Sequence, residues 1–346
     1  MNKSIKTIFW DIPESEYRKD PALSQSALAV YERKGFECLD TLFEPVESPS
    51  LTFGSAVDAL ITGGEDEFNS RFFISDIPSL KPSVEPVVKK IYEIFHTSYT
   101  DIADIPNSGL LSIIEEFKYQ PNWKIETRIK NIKQEGQQYY QTMFMAGDKK
   151  ILSQSVYNKV FACVRALKDS PQTKMYFQED NPFDDIERVY QMKFKGTLGK
   201  ITYRGMADLL MVNHKEKIVI PCDLKTSSGR EYSFPEHFLE WNYQLQARIY
   251  WRLIRQLMDK DEYFKDFALK DFRFIVVNNI DNPIPLVWKF AGSCSLGDLK
   301  IGNHVLRDPE KVGEELTYYL ENRPQVPIGI SIDKPNSIEQ WFNGRV

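Results

Sequence analysis

"ITYRGMADLLMVNHKEKIVIPCDLKTSS", residues 201–228, holds two apolar runs separated by a short polar segment. Ile201–Val212 and Ile218–Lys225 have the make-up of strands and the segment 213–217 that of a turn, so the stretch predicts an antiparallel hairpin. The second run ends on two opposite charges. Period two places Asp223 and Lys225 on one strand face and Leu224 on the other. The first run carries Asp208 among Ala207, Leu209, Leu210 and Met211, where an unpaired carboxylate is expensive. The turn lets Asp208 and Asp223 approach across the hairpin. Two carboxylates at close quarters repel unless a proton or a cation lies between them, and Mg²⁺ is held by a few carboxylates, water and substrate phosphate.

Outward from the hairpin, "ERVYQMKF" (187–194) alternates and adds a third strand, with "GTLGK" (196–200) as its turn. A long helix is expected from Pro235 to about Asp259. Strands are expected in "FRFIVV" (272–277) and "PLVWKF" (285–290), and a late helix in "DPEKVGEELTYYLEN" (308–322). Upstream, residues 24–36 read as a helix capped by Ser24, and residues 52–62 as one that follows Thr52 and stops at Gly63 and Gly64. Residues 75–87 read as a surface connection, 84–145 as helical with breaks at Pro106 and Pro121, and 153–169 as an amphipathic helix with a serine cap. The fold expected is α/β (α+β), a mixed sheet flanked by helices. It is read as one domain over 1–346: an arm at 1–23, a mainly helical part at 24–180, and the sheet core at 181–346.

Composition narrows the class. The chain has 346 residues, 42% hydrophobic and 27% charged, with a formal net charge of -5, so no global basic field marks a nucleic-acid partner. Cys38, Cys163, Cys222 and Cys294 form no C-x-x-C pair, which argues against a zinc ribbon or clustered iron–sulfur site and favours a reducing cytosol. His96, His214, His237 and His304 show no H-x-x-x-H spacing. No apolar run reaches 18 residues, so no membrane partner is expected; the apolar scrap before Asp11 is too short for a signal segment.

The helix after Pro235 adds a third feature. Leu239, Tyr243, Gln246, Tyr250, Leu253 and Leu257 are spaced 4, 3, 4, 3 and 4 and share one face. Gln246 is the only amide in that stripe, and a buried amide needs partners.

"GMAD", "DLK" and "QARIY" (Gln246–Tyr250) resemble, in order and spacing, the PD-(D/E)xK nuclease core with its Q-x-x-x-Y motif, in the branch of the RecB nuclease domain, λ exonuclease and RecE-type exonuclease VIII. "LSQSALAVYERKGF" is similar to the S-x-S-x-L opening of that branch, and "FGSAVDAL" to its small-residue helix. "KTSS" is similar to the polar segment after the lysine, and "FRFIVVNNIDNPIPLVWKF" to the late hairpin. The likeness covers roughly residues 20–320.

The resemblance implies Mg²⁺-dependent phosphodiester hydrolysis, with Mn²⁺ as substitute. Asp208, Asp223 and the Leu224 carbonyl would bind the ion, and Glu187, matching the preceding acid, would touch a second. Lys225 would orient the attacking water and offset developing charge. Gln246 and Tyr250 would brace the site and the DNA strand, and Ser227 and Ser228 would contact a phosphate. Family members usually carry a metal-ligating histidine where this chain has Asp58, whose carboxylate still suits a hard cation. DNA contacts are also expected from the basic stretch 118–134, with Lys124, Arg128, Lys130 and Lys133 near Trp123.

The activity implied is a DNA exonuclease acting at double-stranded ends in recombination or repair, phage- or prophage-encoded and cytoplasmic in a bacterial host. A homo-oligomeric ring and a single-strand annealing partner are implied in the same way. Two other readings stay open: an endonuclease acting on DNA structures, and a catalytically idle DNA-end-binding module.

Overall fold

The computed structural model describes residues 2–77, 80–179, 181 and 185–323. The chain begins with α1 (Glu14–Lys19), β1 (Leu23–Ser24), α2 (Gln25–Lys34), α3 (Pro49–Thr62), α4 (Gly64–Arg71) and β2 (Phe72–Ile74). It continues through α5 (Glu85–Phe95), α6 (Asn107–Glu116), α7 (Ile125–Ala146), β3 (Lys150–Leu152), α8 (Gln154–Asp169) and α9 (Lys174–Phe177). Then come β4 (Ile186–Leu198), β5 (Ile201–Asn213), β6 (Ile218–Ser227), α10 (Phe234–Glu240) and α11 (Tyr243–Asp259). The last elements described are β7 (Ala268–Leu269), β8 (Phe272–Asn278), β9 (Leu286–Phe290), β10 (Leu299–Ile301), β11 (His304–Leu306) and α12 (Pro309–Asn322).

Local signals set many of these ends. The Ser24 hydroxyl accepts from the Ala27 N–H at 3.3 Å and starts α2, which ends at Gly35 with φ 65°. The Asp308 carboxylate accepts from the Glu310 N–H at 2.9 Å and starts α12 ahead of Pro309. Pro106 caps α6, as expected of a residue that lacks an N–H to donate.

The residues group into two compact units, one made of the chain up to Ser50 and from Ala162 onward, the other of Leu51–Phe161. A single domain is the expectation from sequence; within the chain, residues 51–161 bury a core of their own. Val88 and Ile91 of α5, Leu110 and Ile114 of α6, and Ile132 and Tyr140 of α7 are fully or almost fully buried there. Gly136 lets α5 and α7 close together, since a Cβ on it would lie 2.7 Å from Val88 Cγ2.

The other unit holds a mixed sheet, seven-stranded among the described residues, in the order β1-β5-β6-β8-β9 with β4 also on β5 and β7 also on β6. β4–β5 and β5–β6 are antiparallel, as the hairpin reading predicts, while β6 runs parallel to β8. Helices α2, α11 and α12 contact the sheet, and Phe194, Tyr203, Ala207, Leu253, Phe272 and Leu316 form part of the core.

One feature of this topology positions the site. β4 runs along one edge of β5 for its whole length, from Ile186↔Asn213 to Leu198↔Ile201. β1 and β6 therefore share the other edge, β1 at Tyr203 and Arg204, β6 at Leu209–Asn213. The "GMAD" segment, Gly205–Asp208, lies in the gap between them.

Several expectations are corrected. The expected helix after Pro235 is two helices, because Asn242 takes a left-handed conformation (φ 52°, ψ 40°) between α10 and α11. Thr52 lies inside α3, which starts at Pro49. β4 extends to Leu198, so the turn of "GTLGK" is confined to its end. The hairpin β10–β11 was not anticipated from the sequence; its three-residue strands are too short to show a period.

Candidate active site

The β5–β6 ladder ends at Leu209↔Cys222, and its register sets Asp208 opposite Asp223. Residues opposite one another in an antiparallel pair point to the same face. Beyond that last pair, the Asp208 carboxylate takes over from the backbone: its Oδ2 accepts the Leu224 N–H at 2.9 Å. In an extended strand the N–H and C=O of one residue point to the same side. The Leu224 carbonyl is therefore directed towards the Asp208 side, away from β8.

Asp223 is 2% exposed. Its Oδ1 accepts from Gln246 Nε2 of α11 in a short contact, and Lys225 Nζ lies 2.6 Å from Oδ2. That ion pair balances the charge of a carboxylate taken almost wholly out of water. Gln246 Oε1 is a buried oxygen with no hydrogen-bond donor among the described residues. Gln246, 3% exposed, is thus held in its apolar stripe by a carboxylate, which answers why an amide stands there.

Tyr243, one helical turn before Gln246, places its ring 4.8 Å from Lys225 Nζ. Burial alone would lower the Lys225 pKa; the Asp223 charge, reinforced by Tyr243 and Asp208, outweighs it and holds the amine above its usual range, protonated at neutral pH. Burial raises the Tyr243 phenol, partly offset by Lys225. Tyr250 is raised well above its ordinary value, chiefly by burial, so it stays a neutral phenol. Its hydroxyl is 3.5 Å from the Met206 N–H, which ties α11 to the "GMAD" segment.

Asp208, Asp223, Leu224, Lys225, Gln246 and Tyr250 are therefore brought to one place. Glu187 is not. Its place on β4 is opposite Val212, four residues along β5 from Asp208, or roughly 13 Å of strand. Its carboxylate receives the Ser4 hydroxyl, the Ile5 N–H at 3.1 Å and a His214 nitrogen at 3.3 Å, so it fastens the N-terminal segment. Asp58 is half-buried on α3, in the unit of residues 51–161.

Of the remaining candidates, Ser227 accepts the Gly229 N–H at 3.0 Å and lies 3.5 Å from His237 Nδ1, the role of a turn former; Ser228 is exposed. Arg128 is a correction. It is 3% exposed and donates to the carbonyls of Tyr119 (2.7 Å) and Ile114 (3.2 Å) while pairing with Glu115, so it closes the end of α6 and has no reach to DNA. Lys133 donates to the Ala103 and Ile105 carbonyls at 2.7 and 2.8 Å. Lys124 and Lys130 are exposed.

Three contributors escape a reading of the sequence. Gly205 is one: a Cβ on it would lie 2.5 Å from Phe194 and 2.7 Å from Tyr250. Gln191 is another, standing opposite Asp208 with φ 53°, where the β4–β5 ladder skips a pair. Strained backbone of this kind clusters at functional sites. Tyr243 is the third, and only its place in the stripe with Gln246 hints at it.

Among the described residues no group of three or more His, Cys, Asp or Glu side chains gathers at one point. The donor set is smaller: two carboxylates, one carbonyl and an amide oxygen, the buried Gln246 Oε1, which has no donor among the described residues. It fits Mg²⁺, which takes one or two carboxylates and keeps several waters, and it does not fit a soft metal. No described helix is long and apolar enough to cross a membrane.

No protein-family model matches the chain, and no curated protein matches it. Among solved structures it is similar to the crystal structure of a putative exonuclease from Eubacterium rectale, at 12% identity and a TM-score of 0.40, covering 100% of this chain and 88% of that one.

Proposed function

We propose that the chain is a metal-dependent nuclease of the PD-(D/E)xK type that hydrolyses phosphodiester bonds at double-stranded DNA ends. The observation that carries the reading is the pairing of Asp208 and Asp223 where the β5–β6 ladder ends, with Lys225 Nζ 2.6 Å from the buried Asp223 carboxylate. Asp208, Asp223 and the Leu224 carbonyl would hold Mg²⁺. When bound, the ion supplies Lewis acidity towards a phosphoryl oxygen and lowers the pKa of water. The protein's own part is positional. Gln246 keeps the Asp223 carboxylate in one orientation through Oδ1, with Oδ2 towards Lys225. The protonated Lys225 orients the attacking water and offsets the negative charge that grows on the phosphoryl oxygens. Tyr250, a neutral phenol, braces Met206 and so the strand that carries Asp208.

The test is hydrolysis by purified Asp223→Asn and Lys225→Ala proteins. Both are expected to lose turnover by orders of magnitude, the scale seen when a charge-stabilising group is removed from a site of this type. EDTA is expected to silence the wild type and Mg²⁺ or Mn²⁺ to restore it. Undiminished cleavage by either variant sinks the reading.

A further inference from the structure

The junction between α10 and α11 presents two aromatic rings to two cations. Tyr243 faces Lys225, as described. Two residues earlier, Trp241 closes α10 and receives the Arg33 guanidinium of α2 at 4.2 Å from its ring centroid. Asn242, between them, is the left-handed residue that separates the helices. A non-glycine residue in that conformation is uncommon and costs about 1 kcal/mol or more.

Arg33 is held but not used up. Its Nε donates to the Ala29 carbonyl at 3.1 Å, which fixes the plane of the guanidinium. Among the described residues no acceptor engages its two terminal nitrogens, and no carboxylate lies within ion-pairing distance. Glu32, its neighbour in sequence, is committed to Arg307 at 3.3 Å. Trp241 is 42% exposed. An exposed cation–π pair is worth only about 0.5–1 kcal/mol, a weak reason by itself to keep a tryptophan in water. Trp241 and Tyr243 flank Asn242, so the Arg33–Trp241 pair lies two residues along the chain from the ring that faces Lys225.

We propose that Arg33 and Trp241 form a strand-contact subsite that takes one backbone phosphate and one base or sugar of the DNA strand next to the scissile bond. The proposal rests on the nuclease reading and names part of its substrate site. A guanidinium with both terminal nitrogens available matches the bidentate geometry of a phosphate, and an exposed indole stacks on a base or sugar without regard to sequence. A net charge of -5 leaves no global field to hold DNA, so binding depends on local cations of this kind.

The test measures binding of a fluorescein-labelled DNA duplex by fluorescence polarisation, with Ca²⁺ replacing Mg²⁺, alongside steady-state hydrolysis in Mg²⁺. Arg33→Ala and Trp241→Leu are each expected to weaken binding by about tenfold, the scale of one stacked base or one phosphate contact, and to raise KM more than they lower kcat. Trp241→Phe, which keeps an aromatic face, is expected to retain most of the affinity. Arg33→Lys keeps the charge and loses the planar fork, so several-fold weakening is expected. If the wild type binds and cleaves DNA and the Ala and Leu variants do so with unchanged affinity and KM, the subsite is overturned and the nuclease reading stands. If the wild type neither binds nor cleaves, both fall. Should Trp241→Leu fail to fold, the Arg33→Lys measurement decides, and wild-type affinity there overturns the proposal.

Discussion

At the scale of single residues the site is a balance of buried charge. Asp223 is tolerable at 2% exposure because Lys225 and Gln246 face it, and Lys225 stays protonated because Asp223 outweighs its own desolvation. Asp58 belongs to the same scale, as the one position where the resemblance expects histidine. The structure puts it in the unit of residues 51–161, apart in the chain from the unit that carries Asp208 and Asp223.

At the scale of elements, α11 is the part that joins sheet, site and C-terminal segment. One face carries Tyr243, Gln246 and Tyr250 to the strand ends. Gly205 is what lets Tyr250 close on β5, so Gly205→Ala is expected to cost about 1–3 kcal/mol by overpacking and to reduce turnover as Tyr250 is displaced. Urea unfolding followed by a nuclease assay measures both. Arg248 and Arg252 of α11 pair with Asp308 at 2.8 and 2.9 Å, all buried. Burial would raise the Asp308 carboxyl, but its bonds from Arg252 and the Glu310 N–H, with the charges of Arg252 and Arg248, outweigh that and hold it below the usual range. A depressed folded pKa stabilises the fold above the unfolded value of about 3.9, and that contribution is lost as pH falls through the folded value. Asp308→Ala is expected to cost roughly 3–5 kcal/mol at pH 7 and to flatten the loss of stability on acidification. Equal urea midpoints for variant and wild type at pH 7 contradict this account.

At the scale of the molecule, a net charge of -5 leaves recognition to local features. For an exonuclease, linear duplex is expected to be degraded progressively in Mg²⁺ while covalently closed circles survive, resolved on an agarose gel over time. Rapid linearisation of a supercoiled plasmid moves the assignment to the endonuclease alternative. Undiminished DNA-end binding with no hydrolysis under any divalent metal moves it to the idle binding module.

What was legible in the sequence was what contiguous residues encode. The β5–β6 hairpin follows from two β-rich runs and a polar turn, the starts of α2 and α12 from Ser24 and Asp308-Pro309, and the shared face of Asp223 and Lys225 from the period of a strand. These depend on neighbours a few residues away, so periodicity and capping chemistry reveal them. The rest depended on contacts between distant segments. That β1 and β6 leave Gly205–Asp208 open on one edge of β5 is set by a strand 180 residues upstream pairing with Tyr203 and Arg204. Whether a basic residue faces solvent or a helix end was equally hidden: Arg128 and Lys130 read alike in sequence, yet one is buried on backbone carbonyls and the other exposed. Charge is a property of the residue, but its availability is decided by what the tertiary fold packs against it.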